Sequence, residues 1–320
     1  MIIRLIKPYN TKGLDADANI FRDMIQKVYP YYTIIIDTQD AILNSMDDVH
    51  IYISNTSEHL LKWAKVKMFM INHELFMQKD KDVHILKNID IVLARNNIGF
   101  EWATNVKDKY NLRYEVKLIK FTSNIPTIDI EKNWNMILHT AGEHHWKQTD
   151  AIMKAWTTYD DLPTIIITCT DQCYRNIQKL VPSKLPKNVI LYKSLIPKDE
   201  FVKLKNRIGI HLCPSIVEGF GHYINEARKV KSLVITSNLP PMNELIDSLS
   251  GVLIDCTDVG KKKNGADLCF ISSENIYNAV MRTINIDINN RKKMINIAHE
   301  NFLNDYDFFE NAIRELFLRK

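Results

Sequence analysis

Short runs of β-branched and apolar residues alternate with helix-patterned stretches along nearly the whole chain, and this rhythm constrains the fold more than any single residue. The runs are apolar throughout, the pattern of strands covered on both faces in a parallel sheet wrapped by helices. In the first part they fall at residues 2–6, 33–36, 49–53, 67–71, 89–94 and 115–120, with a helical stretch at 14–29. Residues 122–132, with Pro126 and several Thr, Ser and Asn, break the rhythm and read as a linker. Apolar runs then return at 135–139, 164–168, 189–192, 208–213, 233–236 and 252–254, separated by helical patterns near 150–159, 171–179, 198–205, 223–229 and 242–248. Such alternation spells βαβ units, hence an α/β chain of two Rossmann-like domains in series. At 320 residues there is room for two domains of about 150 residues, each large enough to bury a core. Residues 260–265, with three consecutive lysines, read as a solvated loop, and 273–320 reads as helical.

Charge and cysteine usage narrow the function classes. A formal charge of +4, from 42 basic and 38 acidic residues spread along the chain, suits a phosphate-bearing ligand and lacks the concentrated basic footprint of a nucleic-acid binder. The five cysteines, Cys169, Cys173, Cys213, Cys256 and Cys269, are odd in number and several lie in apolar runs, so reduced thiols and a cytoplasmic location are expected. No second Cys or His pair with zinc spacing accompanies Cys169 and Cys173, and no metal site is expected. The amino-terminal apolar run is too short for a signal peptide, and no stretch approaches the ~20 apolar residues that span a bilayer.

The densest chemical signal is Pro214-Ser215-Ile216-Val217-Glu218-Gly219-Phe220-Gly221-His222-Tyr223-Ile224-Asn225-Glu226-Ala227. It joins an apolar strand to a helix through a glycine-containing turn. Backbone can approach a ligand closely there, and the free amides and dipole of the helix favour an anion. A diphosphate over Gly221, His222 and Tyr223 is the expected occupant. Glu218 and Glu226 flank this turn, and carboxylates suit the hydroxyls of a sugar or ribose. A second segment, His139-Thr140-Ala141-Gly142-Glu143-His144-His145-Trp146-Lys147-Gln148-Thr149, follows the strand that opens the second half. Gly142 permits close approach and Lys147 supplies a point charge for a diphosphate. Thr149 and Asp150 read as helix-capping residues.

Glu218 and Glu226, separated by seven residues and bracketing Gly-Phe-Gly, resemble the donor-site signature of retaining GT-B glycosyltransferases of the group-1 type. The resemblance runs in order through Gly142, Lys147, Ser215 and Pro240-Pro241-Met242-Asn243-Glu244, covers about residues 135–255 well and the first domain loosely. It implies a GT-B fold, two Rossmann-like domains whose parallel sheets face each other across a cleft: an acceptor-side domain at 1–125, a donor-binding domain at 126–300 and a carboxyl-terminal helix at 301–320 that crosses back to the first. Phe302, Tyr306, Phe309, Ile313 and Phe317 recur at helical spacing there, giving an apolar face to bury.

The resemblance also implies roles. Glu218 lies by the transferred sugar, Glu226 binds the ribose, Ile196 marks where backbone groups hold the base, and Glu244 holds the crevice edge. Gly142, Lys147, Ser215, Gly219, Phe220, Gly221, His222 and Tyr223 complete the donor site. Glu218 and Lys147 carry the catalysis, with His73 near the reacting sugar on the acceptor side. The expected activity is a hexosyltransferase-like transfer from a UDP- or GDP-linked sugar to an unknown glycan, lipid or protein acceptor, without cofactor, metal or nucleic acid, and with peripheral membrane contact left open. Relatives of this type commonly carry an arginine just after the glycine and a glycine after the lysine, where this chain has Glu143 and Gln148. Those departures keep one alternative in view, a non-catalytic GT-B-like module that binds glycans or nucleotides.

Overall fold

The computed structural model of the chain describes all residues except 10, 11, 77–79, 143, 144, 181–183, 194, 195, 319 and 320. It divides into two units, Met1–Thr122 with Asn304–Lys320, and Ser123–Leu303.

The first unit alternates strand and helix: β1 (Ile2–Lys7), α1 (Lys12–Val28), β2 (Thr33–Thr38), β3 (Asp47–Ile53), β4 (Ala64–Met70), α2 (Asp80–Leu86), β5 (Ile91–Ala94), α3 (Asn97–Lys109) and β6 (Glu115–Leu118). The strands form one sheet in the order β2-β1-β3-β4-β5-β6, parallel throughout. Their apolar runs are accounted for by burial, since Ile3, Leu5, Val49, Ile51, Met68 and Leu93 are all fully enclosed. Arg4, among them, survives only by pairing: its guanidinium meets Asp47 at 2.7 Å and Asp37 at 2.8 Å.

The second unit comprises β7 (Asn133–Gly142), α4 (Thr149–Thr158), β8 (Thr164–Cys169), α5 (Asp171–Leu180), β9 (Val189–Lys193), α6 (Lys198–Arg207), β10 (Ile208–Cys213), α7 (His222–Lys229), β11 (Leu233–Ser237), α8 (Met242–Leu245), β12 (Val252–Ile254), β13 (Asp258–Lys261), β14 (Asp267–Phe270) and α9 (Ser273–Ile284). Its main sheet runs β12-β11-β10-β7-β8-β9, again all parallel. That is the doubly wound order, in which the chain winds outward from β7 to one edge and then from β10 to the other. Trp156, Ile137, Ile165, Ile210 and Leu212 are the centre of its core. The linker is fixed rather than loose. Ile125 packs with Val202 and Val230, while Asn206 bonds the carbonyl of Pro126 and the amide of Ile128.

The helical pattern expected in the carboxyl-terminal stretch is met by two helices, α9 and α10 (Ile288–Leu318), and the buried Arg291 donates to the carbonyls of Thr283, Ile284 and Ile286 where α9 ends. Two expectations are corrected. Residues 260–265 form the tip of the antiparallel β13–β14 hairpin, with Asn264 buried and Lys262 3.8 Å from the Trp146 ring centroid. Cys256 and Cys269, expected as thiols, are joined by a disulfide across this hairpin, whereas Cys169, Cys173 and Cys213 are free and buried.

From Asn304 onward α10 packs within the first unit. Phe309 meets Phe21 and Phe121 at centroid distances of 5.4 and 5.0 Å, and Phe317 lies edge-on to Tyr29 at 5.9 Å. Polar contacts flank this apolar face: Tyr29 donates to the Arg314 carbonyl at 2.8 Å and Lys27 pairs with Glu310.

Candidate functional site

The winding of the second sheet reverses between β7 and β10. The loops leaving the carboxyl ends of two such strands diverge, and the gap between them is where α/β sheets take ligands. Both singled-out segments sit there. β7 ends at Gly142, whose φ of +64° puts it in the left-handed region, where a side chain is strained. Glu143, named for its departure from the usual arginine, and His144 lie outside the described residues.

The chain then makes one 3-10 turn, His145–Lys147, and starts α4 through Gln148, also left-handed at φ +51°. That conformation is why a glycine suits this position. Glutamine bears a strain of about 1–2 kcal/mol there, and its buried side chain offsets it by hydrogen bonding. Its amide nitrogen donates to the Pro214 carbonyl at 3.1 Å, and its amide oxygen accepts from the Ile271 amide at 2.8 Å. One residue thus ties the β7 loop, the β10 loop and the hairpin together. Gln148 caps α4 by position, and Thr149, expected as a cap, instead bonds His139 Nε2 through its hydroxyl at 2.9 Å.

The β10 loop comes to meet it. The Ile216 amide donates to the Trp146 carbonyl at 2.7 Å, and the Cys269 amide to the Ile216 carbonyl at 2.9 Å. Lys147 pairs with Glu218 Oε1 and its ammonium lies 3.5 Å from the Tyr223 ring centroid. Ser215, fully buried, donates to the same Glu218 oxygen at 2.5 Å. Its Oγ also lies 2.5 Å from the Tyr223 hydroxyl. Burial pushes the Tyr223 phenol well above its ordinary pKa, so it stays protonated and donates to Ser215, which donates on to Glu218. Lys147, Ser215, Glu218 and Tyr223 therefore form one connected cluster.

Gly221 turns the loop into α7 at φ +84°, and a Cβ there would stand 3.2 Å from Leu245. Glycine meets both limits, and the turn it makes leads into the amino terminus of α7, an end of a helix that favours an anion. Phe220 is buried and edge-on to His222 at 5.0 Å, and His222 Nδ1 lies 2.8 Å from the Ser123 hydroxyl. Gly219 is half-buried.

Glu226, about one turn along α7, is not part of the Lys147 cluster: it pairs with Lys205 of α6. Ile196, half-buried in the loop between β9 and α6, and Glu244, half-buried in α8, follow different strands of the same sheet. Leu195 is outside the described residues. His73 belongs to the first unit, after β4, where it is 4 % exposed and its Nδ1 lies 3.7 Å from Glu74. Gln148 and Lys205 were missed as site residues. A left-handed turn at 148 and a buried amine at 205 leave no mark in hydrophobic periodicity.

Two buried histidines frame the reversal point from within the sheet. Burial holds His139 down to a pKa of about 4 and His211 down to about 3. Unfolded histidine takes up a proton near pH 6.5, whereas these two refuse it while folded. Their contribution to stability is thus complete above pH 6.5 and is lost as pH falls from there toward 4, at roughly 1.4 kcal/mol per pH unit for each. Chemical denaturation midpoints should therefore drop measurably between pH 6.5 and 5, a range above most carboxylate titration. A flat profile over that range would contradict neutral burial.

Known proteins bear on this arrangement. Residues 120–269 match the model of the family described as "Glycosyl transferases group 1". No curated protein matches the chain significantly. Among solved structures, a glycosyltransferase from Rickettsia africae superposes with a TM-score of 0.74 at 15% identity, covering 98% of this chain and 97% of that one. Sucrose-phosphate synthase from Thermosynechococcus elongatus gives 0.73 at 12% identity, covering 100% and 98%. HepE of Anabaena, solved with UDP and glucose, gives 0.69 at 12% identity, covering 99% of each chain. At such identities the likeness carries the fold, which is GT-B. The matched segment and the fold together support a glycosyltransferase of the GT-B class.

Proposed function

We propose that this chain moves a sugar from a UDP- or GDP-linked donor to a hydroxyl-bearing acceptor, with retention of configuration at the sugar. The observation that carries the reading is the cluster at the sheet reversal of the second unit. It sets one lysine, one carboxylate and the amino terminus of α7 around a glycine turn. The departing nucleoside diphosphate needs positive charge where its own negative charge develops, and Lys147 with the α7 amides supplies it. A diphosphate that engages Lys147 replaces Glu218 as its partner, and the freed carboxylate, still held by Ser215, is left to face the sugar. Glu226 takes the ribose hydroxyls. Complexes of neighbouring folds with UDP and UDP-glucose support a nucleotide-sugar donor. The first unit is assigned to the acceptor, with His73 as a contact on that side.

Two substitutions test the division of labour. Glu226→Ala is expected to weaken UDP or GDP and the intact donor alike, by roughly 1.5–3 kcal/mol for charge-assisted bonds. Glu218→Ala is expected to lower transfer far more than affinity for the bare diphosphate. Titration calorimetry and a transfer assay read both. Unchanged nucleotide affinity in folded Glu226→Ala would remove the ribose assignment, and equal losses in Glu218→Ala would make that residue a prop of the turn.

Metal independence belongs to the same proposal, because the phosphate charge is met by Lys147 and backbone amides. Asp15 and Asp17, which spell Asp-x-Asp, are engaged by Lys7 and Arg95. Transfer is expected to persist in EDTA. Activity abolished by chelation and restored by Mn²⁺ would refute the metal-free reading.

A further inference from the structure

Lys205 is 4 % exposed, a rare state for an amine. Its Nζ pairs with Glu226 Oε2 and lies 4.4 Å from the Phe201 ring centroid. Its carbonyl oxygen accepts from His211 Nε2 at 3.1 Å, so the end of α6 is fastened to β10. Burying a cation this deeply is unfavourable without a well-placed partner, and Glu226 is that partner.

The pair is open on one side only. The lysine side chain is 5% exposed and that of Glu226 23%, and among the described residues Glu226 Oε1 makes no hydrogen bond. A brace that merely held α6 to α7 would be served by enclosing both groups. Here the lysine is enclosed and the carboxylate, five residues beyond Gly221 on α7, is the more exposed of the two.

We propose that Lys205 is a positioning residue for nucleotide recognition: by holding Glu226 Oε2 it fixes the carboxylate so that Oε1 meets a ribose hydroxyl, and it thereby sets a preference for ribose over 2′-deoxyribose. This rests on the reading of the second unit as a nucleotide-sugar site. A carboxylate clamped at one oxygen reaches the diol already oriented, whereas a free one adopts several rotamers of which few fit. Lys205 itself, lying behind Glu226, does not touch the nucleotide.

The experiment measures affinities of the full chain for UDP, GDP and their 2′-deoxy counterparts by titration calorimetry, with donor KM and kcat beside them. Lys205→Met, close in volume and uncharged, is expected to weaken the preferred ribonucleotide about tenfold while the deoxynucleotide changes little, so that the preference collapses. KM for the donor should rise with kcat nearly unchanged, and Lys205→Arg should restore most of the preference. The double variant Lys205→Met/Glu226→Gln carries no unpaired buried charge and serves if the single variant does not fold. In the Glu226→Gln background the lysine change should shift the ribose preference less than twofold, because its route of action is already removed. A folded Lys205→Met that keeps the wild-type ribose preference overturns the positioning role while leaving the donor site intact. An equal shift in both backgrounds overturns action through Glu226. Wild-type protein that binds neither UDP nor GDP overturns the nucleotide-sugar reading itself, and this inference with it.

Discussion

Lys147→Met should lower sugar transfer by about 10²- to 10³-fold, the usual loss when one group that stabilises developing negative charge is removed. The lysine is the cation of the connected cluster at the sheet reversal, and its ammonium is oriented by Glu218 and by the face of Tyr223. Methionine keeps the length of the side chain and its contact with the aromatic ring but supplies no charge. The loss should appear in kcat as well as in donor affinity, because the charge on the diphosphate grows as the glycosidic bond breaks. Glu218, deprived of its ion pair, keeps the Ser215 hydroxyl, so the turn should survive and nucleotide binding should weaken without vanishing. Single-turnover rates and calorimetry separate the two effects. A variant that transfers sugar at the wild-type rate would remove Lys147 from the chemistry and with it the main support for the proposed mechanism.

The second large effect concerns stability. Phe309 is fully buried and packs edge-on against Phe21 and Phe121 at centroid distances of 5.4 and 5.0 Å. Phe309→Ala should therefore cost about 3–5 kcal/mol, the range for truncating a buried phenylalanine. Removal of residues 304–320 goes further, because Ile313, Leu316 and Phe317 are also buried, and the first unit is then left with its aromatic core exposed. The second unit loses none of its own sheet, so the truncated chain should still bind nucleoside diphosphate while transferring no sugar. Denaturant unfolding followed by tryptophan fluorescence, together with a binding assay, reads both halves of this expectation. Full transferase activity after the truncation would show that the tail is dispensable to the first unit.

The fold was legible because parallel strands buried on both faces must be apolar throughout. The runs expected at 208–213 and 252–254 coincide with β10 and β12. A strand end drifted where the last residue was polar: the run expected at 233–236 extends to Ser237, which is fully buried and satisfied by donating to the Ser215 carbonyl just after β10. Gly142 and Gly221 were legible because only a left-handed backbone needs them. Gln148 was not, because the same left-handed backbone is held there by two side-chain hydrogen bonds that bridge 66 and 123 residues of sequence. Lys205 was hidden for a related reason: a lysine at a helix end reads as solvated, and its burial depends on the partner that α7 brings to it. The disulfide was missed because residues 260–265 read as a loop, and only the hairpin register, Val259 opposite Cys269 and Asp258 opposite Phe270, carries Cys256 toward Cys269.

The order in which the chain is made gives the tail of α10 a further consequence. The second unit is continuous from Ser123 to Leu303, whereas the first is assembled from Met1–Thr122 and Asn304–Lys320. During synthesis the nascent chain thus emerges with its first sheet made but the aromatic cluster of Phe21 and Phe121 still waiting for Phe309. The second unit is complete before the first can close, a reversal of the usual amino-to-carboxyl order of domain folding. The interval leaves an apolar face unprotected while more than half of the chain is still to be translated, and that is when a chaperone has most to cover. A circular permutant that places residues 304–320 ahead of Met1 would shorten the interval, and its yield of folded protein relative to the natural order measures how much of the folding burden lies there.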